Sequence, residues 1–183
     1  AIVGQMIQYK DYSERSDTDN NCRITSNFGE LRRRLEEFDA NGGGSGLGTW
    51  CLCEDIQYGV KCALSNMTQS AYREYYHMMV IIGDYPNHGD DRSCDCSTER
   101  NPQEGGRSFD SVWNDYFNQM RKMDNLQIWF MPINPGEIRK TYDKFKSNLG
   151  DKVNITSDTS GDQLQTLFDD TITEVYSNLM GIS

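Results

Sequence analysis

Two nearly continuous apolar runs constrain this chain most. Tyr76 to Ile82 is apolar almost throughout and stops at Gly83-Asp84, and Leu126 to Ile133 is a second such run. Runs without polar alternation suit strands buried on both faces of a parallel sheet. Between them Phe109, Val112, Trp113, Tyr116, Phe117 and Met120 recur at helical spacing.

The rest of the chain extends the pattern. Ile2 to Tyr9 reads as a strand, and Cys22 to Thr25 as a short one. Phe28, Leu31, Leu35 and Phe38 make a helical stripe whose wet face carries Arg32, Arg33, Arg34, Glu36 and Glu37. Asn41 to Trp50 is a Gly-rich loop. A helix starts near Glu54, with Ile56, Val60, Ala63, Leu64 and Met67 on its buried face and Glu54 and Asp55 suited to its N-terminus. Tyr85 to Gly106 is a long loop. Asn134-Pro135-Gly136-Glu137 reads as a helix start, with Asn as cap and Pro at the first position. Ile138, Tyr142 and Phe145 continue that helix, and Val153 to Thr156 is a short strand. Leu164, Leu167, Phe168, Ile172, Val175 and Leu179 mark a closing helix ended by Gly181. This alternation predicts an α/β domain with a mainly parallel sheet, and 183 residues suit a single domain.

Composition narrows the function. The net charge is −10, which opposes binding to phosphate backbones and anionic lipid, so neither nucleic acid nor membrane is an expected partner. No apolar run is long enough to span a bilayer. Aromatics at 11% argue against a disordered chain. Six cysteines, Cys22, Cys51, Cys53, Cys62, Cys94 and Cys96, include two C-x-C pairs and no C-x-x-C. Zinc spacing is C-x₂₋₄-C, so disulfides in a secreted, extracellular chain are the expected use. The sequons Asn66-Met67-Thr68 and Asn154-Ile155-Thr156 agree with that route. Both asparagines should be exposed, Asn66 the more so. The abrupt opening at Ala1-Ile2-Val3-Gly4 suggests a processed product or a fragment.

Several blocks resemble the von Willebrand factor type A domain, in the branch found beside alpha-kinases. Gly4-Gln5-Met6-Ile7-Gln8-Tyr9-Lys10-Asp11 is similar to that branch's second strand. Ala40 with Gly42-Gly43-Gly44, then Glu54-Asp55-Ile56, Gly59 and Ala63-Leu64, resemble its Gly-rich turn and following helix. Ile81-Ile82-Gly83-Asp84-Tyr85-Pro86-Asn87-His88-Gly89 looks like its Ile-x-Asp-Ala-Pro-x-His-Gly segment. The resemblance implies one three-layer α/β domain over residues 1–183, with a mainly parallel sheet flanked by helices. It also implies a protein-interaction role.

The family's first strand, which ends in the metal-binding Asp-x-Ser-x-Ser, has no counterpart here. Asp84 matches a single carboxylate of that site, and Mg²⁺ or Ca²⁺ needs several oxygen ligands. No metal and no cofactor is therefore expected. In the family the missing strand lies between strands two and four. Leaving such a gap open costs about 1–3 kcal/mol for each unpaired buried group. Strand two could close directly on strand four, but a partner or upstream chain segment inserted as a donor strand is expected to fill the gap, with an extracellular polymer as its most concrete form.

Catalytic motifs are few. The histidines are His77 and His88. His77 reads as structural, whereas His88 sits near Asp84 in a loop. There is no G-x-S-x-G, no P-loop and no H-E-x-x-H. Gly42-Gly43-Gly44-Ser45-Gly46 lacks the Lys that would make it a phosphate cradle. The expected function is a non-catalytic extracellular interaction or assembly domain, with Glu54, Asp55, Asp84 and His88 as its interaction edge. The alternative is a hydrolase or metal-dependent adhesion domain using acids at the strand ends.

The cysteine pattern generates a test. At least one disulfide is expected to join Cys51 or Cys53 to Cys94 or Cys96. Closing a loop of roughly 40 residues stabilises by about 4 kcal/mol. Peptide mapping without reduction should recover the linked peptides. Fragments in which each C-x-C pairs only elsewhere would contradict the expectation.

Overall fold

The computed structural model describes residues 55–90, 100–101, 104–133, 137–158, 160 and 163–181, with isolated positions at 27, 29 and 33. The expected strand at Ile2 to Tyr9, the short strand at Cys22, the Phe28 to Phe38 helix apart from positions 29 and 33, and the Asn41 to Trp50 loop lie outside these residues.

Helix α1 runs Ile56–Met67 and starts where the sequence places an acid at its end. The Asp55 side chain accepts a hydrogen bond from Tyr58 N at 3.3 Å, which satisfies one of the free amides of the first turn. Ile56, Val60, Ala63 and Leu64 point into the core. Strand β1, His77–Gly83, follows. Tyr76, read as part of this strand, lies outside it and is 39% exposed. A two-residue ribbon, β2 (Arg100–Asn101) with β3 (Arg107–Ser108), interrupts what the sequence presents as one long loop.

Ser108 caps helix α2, Phe109–Arg121, by accepting from Ser111 N at 3.2 Å. Strand β4, Leu126–Pro132, lies parallel to β1 in the register His77↔Leu126 to Gly83↔Pro132. Helix α3, Arg139–Leu149, leads through a 3₁₀ turn to β5, Val153–Ile155, which pairs parallel with β4. The strand order is β1-β4-β5. Helix α4, Leu164–Met180, closes the described chain, and Gly181 ends it at φ 66°. The described fold is thus an α/β arrangement with a mainly parallel sheet.

The start of α3 departs from expectation. The helix begins at Arg139 with Ile138 at its cap position, four residues after the expected start at Pro135, and residues 134–136 lie outside those described. The chain leaving β4 stays bonded to the end of β1 instead. Ile133 N donates to Gly83 O at 2.9 Å and Ile138 N to Asp84 O at 3.0 Å. Ile138 is also fully buried, so packing and pairing together delay the helix.

The core lies between the sheet and helices α1, α2 and α3. Met79, Ile81, Leu126, Ile128, Phe130 and Val153 supply the sheet side. Phe145 is its hub, meeting Trp113, Phe117 and Phe130 edge-on at 5.0, 5.1 and 5.2 Å between ring centroids. Edge-to-face contact is the favoured aromatic geometry and adds to the area buried. Phe145→Ala should cost about 3–5 kcal/mol in urea unfolding. Phe145→Leu should cost clearly less. Equal costs would show that the rings do not act as a unit.

Candidate functional site

In a parallel sheet the loops after the strand C-termini gather on one edge, and ligands usually bind there. Here that edge carries residues 84–90. Asn87 is fully buried and organises them. Its Oδ1 accepts from Gln57 N at 2.8 Å, and its Nδ2 donates to His88 O at 2.6 Å. Its backbone N–H donates to Thr141 Oγ1 at 2.8 Å. Gln57, also buried, donates through Nε2 to Phe109 O at 2.7 Å and accepts from Asn101 Nδ2 at 2.8 Å. Helices α1, α2 and α3, ribbon β2 and the loop therefore meet in one polar network.

A buried ion pair continues it. Asp90 has a side chain 1% exposed. Lys144 Nζ donates to Asp90 Oδ1, and Thr141 Oγ1 donates to Asp90 Oδ2 at 2.8 Å. Lys144 also reaches Asp110 Oδ1 at 2.7 Å. Burial pushes the Asp90 carboxyl above the usual carboxylate range although Lys144 and Thr141 pull it down. Burial works against the charge on Lys144 too, but the two carboxylates override it and hold the ammonium above its ordinary value. Each Asp90 oxygen has a donor and Lys144 serves two acids, so this group joins elements together and does not offer a free acid or base.

Two members of the expected interaction edge are buried. Asp55 is 1% exposed because it caps α1. His88 is 2% exposed and lies over Phe109, with ring centroids 6.0 Å apart and planes 21° apart. Gly89 permits this approach: at φ +82° it has no side chain, and a Cβ there would come within 2.9 Å of the Phe109 ring. Asp84 remains half-buried and accepts Ile138 N through its backbone, while Glu54 lies outside the described residues. Among the described residues no three His, Cys, Asp or Glu side chains come together as a metal site.

Other singled-out residues fall elsewhere. Asn66, expected to be exposed after the helix, lies in the last turn of α1 at 9% exposure, its Oδ1 accepting from Gln69 Nε2 at 2.8 Å. Asn154 sits half-buried in β5 opposite Trp129. Cys62 is buried and half of a disulfide, and the other five cysteines lie outside the described residues. His77 opens β1 at the opposite end of the sheet. Burial holds its imidazole below the ordinary value, against hydrogen bonds to the Arg73 and Tyr72 carbonyls. Among the described residues no helix is long and apolar enough to cross a membrane.

Asn87, Gln57, Asn101, Thr141, Lys144 and Asp90 were missed by sequence reasoning. Thr141 and Lys144 share a helix face at i, i+3, which is a weak signal; their partners lie 51 and 54 residues away. No protein-family model, curated protein or solved structure matches the chain.

The ion pair has a pH signature. Lys144→Met leaves Asp90 buried without its cation and should cost about 3 kcal/mol near neutral pH. The Asp90 carboxyl then rises further. A group whose folded-state value exceeds its unfolded value binds its proton more tightly when folded. The deficit should therefore shrink as pH falls through the raised value towards the ordinary 3.8. Urea unfolding across that range checks it, and a deficit that stays constant or grows in acid would contradict it.

Proposed function

We propose that the chain is a non-catalytic extracellular protein-interaction or assembly domain, resembling the von Willebrand factor type A fold with helices on both faces of its sheet. The observation that carries this reading is an apolar face on α4. Ile172, Tyr176 and Met180 are 40%, 50% and 58% exposed. Large apolar side chains gathered on one open face are the usual mark of a protein contact.

Two further features support the reading. The order β1-β4-β5, with a helix between successive strands, is compatible with one half of the expected sheet. Among the described residues β1 pairs on one side only, which is where a neighbouring or donated strand would join. The hydrolase alternative has the burial of Asp55 and His88 against it, because neither reaches the surface where a substrate would lie.

The test places a photoreactive benzoylphenylalanine at Tyr176 in cells that secrete the chain. A control places it at Ser147, exposed on α3. Irradiation should yield a protein adduct at position 176 and none at 147. Adduct formation at neither position, or equally at both, would contradict a contact surface on α4.

A further inference from the structure

The two N-x-T triplets of the sequence end in unlike surroundings. Asn66 lies in the last turn of α1 and is 9% exposed, with its Oδ1 accepting from Gln69 Nε2 at 2.8 Å. The hydroxyl of Thr68, the third residue of that triplet, donates to Leu64 O at 2.8 Å. The same carbonyl accepts from Thr68 N at 3.0 Å. This triplet is wound into a helix end, and its asparagine is packed inward.

Asn154 instead stands extended in β5, the last strand of the described sheet. Val153 before it is fully buried, and Ile155 after it packs against the same core. Successive side chains of a strand alternate between faces, so Asn154 belongs to the other face of the sheet. Its register partner there is the half-buried Trp129 of β4. Among the described residues the Asn154 side-chain amide has no hydrogen-bond partner, yet neither of its polar atoms is a buried atom left unsatisfied. Water therefore solvates it. An amide nitrogen open to water is what an attached sugar requires, because the sugar is bulky and hydrophilic and must leave the fold through open space.

We infer that Asn154 is the acceptor of an N-linked oligosaccharide and that Asn66 is not, the reverse of the order expected from the sequence. This rests on the extracellular reading of the chain. In the transfer, Asn154 Nδ2 attacks the anomeric carbon of an oligosaccharide carried on a lipid diphosphate. The C–N bond forms and the C–O bond to the diphosphate breaks. The diphosphate leaves with the electron pair, and the amide nitrogen gives up one proton to a base of the transferase. The same product at Asn66 would place a sugar where the end of α1 is packed, so a chain modified there cannot seat that helix end. A sugar on Asn154 also keeps its face of β5 in water, which leaves other surfaces for protein contacts.

The experiment expresses the full chain behind a cleavable signal peptide in secreting animal cells, so that it meets the transferase whatever its own route. The secreted protein is treated with peptide N-glycosidase in heavy-oxygen water. This converts each glycosylated asparagine to a mass-marked aspartate that peptide mapping locates. The mark should fall on Asn154 in most chains and be absent from Asn66. Thr156→Val, which removes the hydroxyl of the Asn154 triplet and keeps its shape, should abolish the sugar. Thr68→Val should leave it unchanged. A marked Asn66 in the secreted protein, or an unmarked Asn154, would overturn the inference. If Asn154 carries the mark here while the chain purified from its natural source carries no sugar, the acceptor site stands and the extracellular reading falls.

Discussion

The buried amide of Asn87 is the constraint on which the described structure turns. It stands where the chain leaves β1, and its side chain and backbone bond to α1, to the following loop and to α3. A loop buried at this depth carries polar backbone groups that must be satisfied, since a lost partner there costs about 1–3 kcal/mol. Asn87 satisfies Gln57 N, and Gln57 satisfies Phe109 O. Pairing in this polar layer spares the apolar core that desolvation cost.

That layer also decides what the strand-end edge does. The groups with chemistry to offer, Asp55, His88 and Asp90, are drawn in as a helix cap, a packing ring and an ion-pair partner. A buried pair such as Asp90 with Lys144 is not in itself a large source of stability, because desolvation offsets the attraction. It does fix the 88–90 loop against α3 in one geometry. The exposed apolar side chains Ile172, Tyr176 and Met180 lie instead on α4.

The parts of the fold that follow a simple period were legible in the sequence. β1 and β4 followed from nearly continuous apolar runs, and α2 from a six-residue stripe whose members are all buried. Gly181 marked the end of α4 because its left-handed backbone suits glycine. What failed depended on distant partners. Asn134-Pro135 has the form of a helix start, yet pairing with Gly83 and Asp84 delays α3 to Arg139. Ile172 fits the helical stripe, yet it faces outward because Thr171 and Val175 take the buried side. Gln57 is polar beside the apolar Ile56, and nothing local shows that its amide is wanted by Phe109 O and Asn101. Asp55 and His88 had the right residue types for a site, and only tertiary packing reveals that both are covered.

The polar network at the end of β1 and the aromatic core are expected to open as one cooperative unit. Native-state hydrogen exchange tests this most directly, through the amides of Gln57 and Asn87, which donate to side chains rather than to regular secondary structure. Both should exchange only with the global opening that releases Ile128 and Phe130 in β4. Exchange of Gln57 and Asn87 through a separate, much cheaper opening, with β4 still protected, would contradict it.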